Sequence, residues 1–431
     1  MWHRARIRAR EESLPVHPRS FFGPPIPRDP GVSSRAARLA FFGRFADELL
    51  YGATDVLMPT LRATFGLTYT QVGLLHLALQ YVAAVVEPVS ALLIDVWERR
   101  WLLAWGAAGI GLAVMLVGLA PAFVVLLVAF GIYGLASGPL AHTADVVLVQ
   151  AHPSAPGRAF ARATALDTTG ALLGPALVAA WLWFGLDWRW LLVVLGLGGI
   201  AYGGVLAVTR FPGPAREASE DGAESEGEAA GGLVARLAGN LRAVAGDRAA
   251  RVWLLFLFVH GVVEAPMVFR AIWLVDRGGM TQVMVGVYVL FETAVALLGV
   301  LALDRWLGRA TPRRVMIVAA LGLLLLYPAW YLVPGTWARF VVGAPLGFLF
   351  AVFWPIARSQ SLTTASGRPG AVTAVSAVME LVPVALLLAL AAEVVGLTAA
   401  LLGAQVAGTA VLLLVTWRWL PSIASRGATE G

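Results

Sequence analysis

The chain has no cysteine and no lysine, and only 13% of its 431 residues are charged. Without cysteine, disulfides, thiol nucleophiles and cysteine-ligated metals are excluded. The sequence also lacks His-Glu-x-x-His and Gly-x-Ser-x-Gly; in Gly134-Leu-Ala-Ser137-Gly138 the serine is displaced by one position. That argues against zinc-peptidase and serine-hydrolase chemistry, and the chain is expected not to be an enzyme. His142 and Asp145 have no third candidate ligand nearby, so no metal and no cofactor is expected. The first 35 residues, rich in Arg and Pro, lack the continuous apolar core of a secretory signal and read as a disordered basic tail.

What the chain has in abundance is apolar sequence, 59% of all residues. One soluble core cannot enclose so much apolar surface, so the solvent must be lipid. A bilayer core needs about 20 apolar residues per helix, and windows of that length give about twelve spans. They fall at roughly 38–61, 69–94, 101–119, 122–149, 158–184, 188–209, 252–275, 281–303, 313–333, 337–358, 369–393 and 397–418. Helices satisfy backbone polar groups within lipid, and these segments are too long and too uniformly apolar for barrel strands. The expected fold is an all-α polytopic membrane protein.

All 32 basic residues counted as Lys+Arg are arginines, and they fall unevenly. With a cytoplasmic N-terminus, the inner loops hold Arg99 and Arg100, Arg158 and Arg162, Arg236 to Arg251, Arg305 to Arg314, and Arg368. The outer loops hold only Arg62, Arg189, Arg277 and Arg339. The positive-inside bias places both termini in the cytoplasm and the protein in the inner, cytoplasmic membrane. The net charge of +6 follows from loop arginines facing an anionic leaflet, and no nucleic-acid partner is needed.

A composition shift from Pro212 through Glu217–Glu228 to the basic segment Leu233–Arg251 marks a linker. The expected organisation is a basic tail (1–37), a six-helix bundle (38–210), a linker with an amphipathic segment (211–251), a second bundle (252–418) and a C-terminal tail (419–431). The halves repeat at one offset: Tyr51-Gly52 through Asp55 matches His260-Gly261 through Glu264, and 264 less 55 is 209. Asp95 and Asp304, and Arg100 and Arg309, obey the same shift. A six-plus-six parallel repeat accounts for this.

Spans three, six, nine and twelve have no Asp, Glu, Arg or His within their apolar cores, and the other eight do. A charge at the bilayer centre costs at least about 2.5 kcal/mol, so such residues face partners or a water-filled cavity. The third helix of each three-helix unit therefore reads as outer scaffold and the rest as cavity wall. Candidate cavity and proton-coupling residues are Arg44, Asp47, Glu48, Tyr51, Asp55, His142, Asp145, His260, Glu264, Glu292, Arg358 and Glu380. His76, Glu87, Asp167 and Arg270 are further intramembrane charges, with Asp167 read as a helix-end or loop contact. Arg44 stands three and four residues before Asp47 and Glu48, which lets it neutralise one carboxylate and leave another to exchange a proton. A plain packing ion pair is the competing reading of Arg44, as it is of His142 with Asp145.

Ala91-Leu-Leu-Ile-Asp95-Val-Trp-Glu-Arg99-Arg100 resembles the loop motif between helices two and three of the Major Facilitator Superfamily, Gly-x-x-x-Asp-Arg-x-Gly-Arg-Arg. Ala91, Val96 and Glu98 depart from it. A second copy runs from Asp304-Arg305 to Gly308-Arg309. The resemblance implies the twelve-helix fold of that family and a cytoplasmic gating latch at Asp95, Arg99, Arg100, Asp304, Arg305 and Arg309. Gly170-Ala-Leu-Leu-Gly174-Pro175 resembles part of the antiporter motif of drug exporters in the superfamily. The stretch from Ala46-Asp47 through Pro59, Gln71, Gly73, Gln80 and Pro88 to Asp95 is similar to the fosmidomycin-resistance group. Phe130 stands where many proton-coupled exporters carry an arginine, four residues before Gly134.

The function expected is proton-coupled efflux of small amphipathic molecules, cationic or neutral because acids outnumber arginines in the presumed cavity. A nutrient importer of the same fold is the alternative, and a membrane enzyme or a non-transporting sensor represents a different class. The expected partners are a small-molecule substrate, protons and the lipid bilayer, with the chain acting as a monomer.

Overall fold

The computed structural model describes residue 29 and residues 32–152, 156–212, 246–307, 310–357, 379 and 381–419. The elements among the described residues are helices: α1 (Ser34–Val56), α2 (Met58–Phe65), α3 (Tyr69–Val96), α4 (Arg99–Leu119), α5 (Phe123–Ala151), α6 (Pro156–Trp183) and α7 (Trp188–Ala207). They continue with α8 (Arg248–Glu264), α9 (Met267–Asp276), α10 (Gln282–Leu307), α11 (Pro312–Leu332), α12 (Thr336–Phe350), α13 (Val384–Val395) and α14 (Leu397–Arg418). Ten stretches are long and apolar enough to cross a membrane, α8 and α9 counting together as one. The charged α1 is not among the ten. The protein is an all-α polytopic membrane protein.

Local sequence explains where the helices start. Ser33, Asp187, Asp247 and Thr311 accept backbone N–H bonds at the first turns of α1, α7, α8 and α11. Thr68 and Gln71 form a reciprocal capping box at the start of α3. Gly66 closes α2 at φ 62°, a left-handed conformation that suits glycine.

The first span and its counterpart in the second half are each broken after their acidic residue. Pro59 opens α2 just past Leu57, and Pro266 precedes α9; a proline has no N–H to give and crowds the preceding turn. Adding 209 to the bounds of α2, 58 and 65, gives 267 and 274, against the observed 267 to 276 of α9. The repeat read from scattered residues thus extends to the backbone.

Within the first half, α1 packs on α6 and α5, α3 on α5, and α4 on α7; within the second, α10 packs on α12, α8 on α14, and α11 on α14. The uncharged spans pair with each other, α4 with α7 and α11 with α14. At the first of these contacts a Cβ on Gly203 would stand 2.8 Å from the Ala104 carbonyl oxygen, and one on Gly199 2.7 Å from Gly111 Cα. Small residues set that closeness. The other faces of this pair expose Trp105 and Val194, as lipid-facing scaffold would.

The halves meet through α6 against α10, α3 against α13 and α2 against α9. Two glycines make the approach possible. A Cβ on Gly286 would lie 2.8 Å from Ala179 Cβ, and one on Gly73 would lie 2.9 Å from Ala389 Cβ.

Candidate functional site

Between the halves lies a cavity of about 600 Å³, with Tyr51 and Asp55 of α1 and Gln80 of α3 on one wall and His260, Glu264 and Arg270 on the other. Phe258 and Trp354 add aromatic surface. Glu264 is 56% exposed and Asp55 36% although both sit deep within spans, so their charges are met by the cavity rather than by acyl chains.

The first half holds a polar network beside this cavity. Arg44 does not pair along its own helix: its Nη2 donates to Asp167 Oδ2 at 2.6 Å, and its Nε lies 3.7 Å from Asp145 Oδ1. This corrects the expected pairing with Asp47 or Glu48, and it moves Asp167 from a helix-end contact to the centre of an ion cluster. The cause is geometric, since α6 and α5 approach α1 on the face that Arg44 occupies. Asp47 is held instead by α5, where Tyr133 donates to Oδ1 at 2.8 Å and Ser137 to Oδ2 at 2.9 Å. Asp145 has Arg44 as its ion-pair partner in place of His142. Glu48 packs where α1 meets α6, its Cβ 3.1 Å from the position a Cβ would take on Gly170. Gly170 and Gly174 serve that same contact; a Cβ on Gly174 would lie 2.7 Å from the Leu49 carbonyl oxygen.

The second half carries fewer charges amid more rings. Arg270 of α9 pairs with Glu292 of α10, which is 5% exposed. Trp273, Trp330, Tyr331 and Tyr288 form a connected aromatic cluster alongside, with Trp330 Nε1 donating to the Tyr288 hydroxyl at 2.7 Å. His260 stacks on Phe350, ring centroids 5.0 Å apart, and its Nδ1 lies 3.6 Å from Glu264 Oε2. Glu264 therefore has a histidine rather than an arginine as its nearest basic neighbour on its own helix.

At one end of the seam the halves are tied by side chains that the sequence did not single out. Arg62 Nη1 meets Asp276 Oδ2 at 2.5 Å, and its guanidinium stacks over Tyr69, whose hydroxyl also reaches Asp276. Glu393 Oε1 accepts the backbone N–H groups of Tyr69 at 2.8 Å and Thr70 at 3.3 Å, so a carboxylate from α13 sits on the N-terminus of α3. Gln282 Nε2 donates to the Val56 carbonyl at 2.6 Å; farther along α3, beside the cavity, the Tyr81 hydroxyl donates to the Leu381 carbonyl. The readable signals were the Asp276-Arg277 doublet and the Thr68-x-x-Gln71 box; the partners lie more than 200 residues away.

Several expected residues fall elsewhere. Arg358, Glu380 and Arg309 lie outside the described residues, as do the side chains of Glu87, Asp95, Asp304 and Arg305. Arg99 donates to Gln150 and, at 3.3 Å, to the Pro212 carbonyl, while Arg100 pairs with Glu98 at 2.5 Å. Among the described residues no cluster of three or more His, Asp or Glu suits a metal ion.

No curated protein matches this chain in sequence. Solved structures do resemble it in fold. A bacterial homolog of the human lysosomal transporter Spinster, in an inward-facing and unoccupied conformation, aligns with TM-score 0.64 at 16% identity, covering 91% of this chain and 95% of its own. The nucleoside transporter NupG aligns at 0.67 and 13%, covering 90% and 98%. A POT family transporter in complex with a thioalcohol-conjugated peptide aligns at 0.68 and 12%, covering 92% and 97%. The sequence profile of the Major Facilitator Superfamily matches residues 40–387, and the chain belongs to that family.

Proposed function

We propose that this membrane transporter exports small amphipathic molecules, cationic or neutral, in exchange for protons, its halves rocking about the central cavity. The observation that carries the reading is the cavity itself: Asp55 and Glu264 reach it from the two halves, while the guanidinium of Arg270 is already engaged by Glu292. The lining thus combines the carboxylates Asp55 and Glu264 with aromatic surface at Tyr51, Phe258 and Trp354. Such a site favours protons and organic cations over anions. The arginine distribution supports cytoplasmic termini, and on that reading the tied end is the outer one and this conformer is inward-facing.

The test uses purified full-length protein in liposomes with an imposed pH gradient and a panel of lipophilic cations, tetraphenylphosphonium and ethidium among them. Probe movement against the proton flow supports export by exchange. Movement with the proton flow would make the protein an importer, and movement without any proton movement would remove the coupling. Asp47→Asn and Glu264→Gln are each expected to lower coupled transport more than tenfold, with membrane insertion unchanged. Full activity in both would take these residues out of the mechanism.

A further inference from the structure

Behind the main cavity, inside the first half, lies a second and much smaller one of about 10 Å³, bordered by Asp55, His76, Thr54, Tyr51 and Tyr133 and otherwise by apolar side chains. His76 of α3 is 3% exposed, and its Nε2 makes no hydrogen bond among the described residues. That nitrogen points at Asp55, 3.9 Å from Oδ1. The gap is too long for a direct bond, and a side-chain shift of about 1 Å into the space beside it closes it. A buried imidazole nitrogen with a carboxylate as its polar neighbour, next to a pocket of this size, has no packing role that a leucine would not fill better.

From this arrangement we infer that Asp55 and His76 share one exchangeable proton, held at Asp55 Oδ1 and oriented by His76 Nε2, and that this pair is the proton-binding site of the first half. The inference deepens the proton-coupled reading above and rests on it for its role in transport. The proton comes from cavity water and returns to it, so one positive charge is gained or lost by the pair as a unit. Asp55 is faced by Tyr51 from its own helix, His76 from α3, Tyr133 from α5, Arg270 from α9 and, across the main cavity, Glu264 from α8. His76 is faced by Asp55 and by the ring of Phe130, 6.0 Å away. Arg270 belongs to the other half, and this gives the proton its effect. Without the proton, the Asp55 carboxylate attracts Arg270 across the seam and favours the tied conformer. With the proton bound, that attraction ends and the seam is free to part.

Proton uptake by the full-length protein in detergent, read with a pH-indicating dye on a jump between about pH 8 and pH 5, tests the pair directly. Asp55→Asn and His76→Gln are each expected to take up about one proton fewer than the parent, and the double variant no fewer than either single one. A double variant that loses about two, or a His76→Gln protein that loses none, overturns the shared proton. His76→Asn is run in parallel with thermal unfolding of every variant, so that a variant that misfolds is recognised and replaced. The expected uptake pattern together with no cation-driven proton movement in the parent would sink the transport reading and leave this pair standing.

Discussion

In the first half one guanidinium, Arg44, is shared by two carboxylates, Asp145 and Asp167, with Asp47 close by on hydroxyl groups; in the second, Arg270 pairs with Glu292 within an aromatic cluster. The backbones of the two halves break at corresponding places: α2 and α9 start 209 residues apart, at 58 and 267, and α1 and α8 end 208 apart, at 56 and 264. The repeat has therefore kept the break and the acid before it, Asp55 and Glu264, but not the ion pairs built on Arg44 and Arg270. The reason is that a break depends on local geometry, whereas an ion pair moves freely between helices so long as its partner moves too. Around Arg44 the first half sets three carboxylates, Asp47, Asp145 and Asp167, against one guanidinium, two negative charges more than it balances. In the second half Arg270 and Glu292 balance each other within a cluster suited to holding shape, and Glu264 lines the cavity beside them.

The largest test of this contrast is Arg270→Ala, which strands Glu292 in a nearly dry site. About 3–5 kcal/mol of stability is expected to vanish, seen as a lowered thermal unfolding midpoint in detergent. Replacing Arg270 and Glu292 together by methionine is expected to restore most of it, and a double variant as unstable as the single one would show that the pair is not what Arg270 supports. Arg44→Ala is expected to cost less, about 1–3 kcal/mol, because its partners are partly exposed and take up protons. Its deficit is expected to shrink on acidification, since protonating Asp145 and Asp167 removes the stranded charge; the parent gains nothing comparable. A deficit that grew on acidification would contradict the cluster. Gly286→Leu forces a side chain into Ala179 and is expected to cost the tied conformer about 1–3 kcal/mol. Distances between spin labels on α2 and α9 would lengthen, and unchanged distances would show that the glycine contact does not hold the halves together. The smallest effect is expected from Glu393→Gln, about 0.5 kcal/mol or roughly a twofold change in the same populations.

The hydrophobic runs and the 209-residue repeat were legible because each is written in local composition or in spacing; the expected cavity wall was legible only in part, since among the described residues α5, α6 and α10 add nothing to the lining of the main cavity. The pairing of Arg44 was not. Sequence spacing reports neighbours on one helix, and Asp47 and Glu48 stand at the right intervals; Asp167 is 123 residues away and reaches Arg44 only because α6 packs on α1. The proline breaks had their signal in Pro59 and Pro266, but both lie within runs that read as unbroken spans. The ties at Arg62 and Glu393 join residues more than 200 positions apart, and loop charges read alone indicate only orientation.

Glu393 rests on peptide N–H groups, not on a cation, and this bears on how quickly the molecule can turn over. When it lets go, the helix end it leaves is rehydrated and no bare counter-charge remains to draw it back. A gradient of 100 mV delivers about 2.3 kcal/mol for each charge moved, so any bolt stronger than that would stall the machine. A fastening made of weak, individually dispensable contacts opens piece by piece, with no single large input.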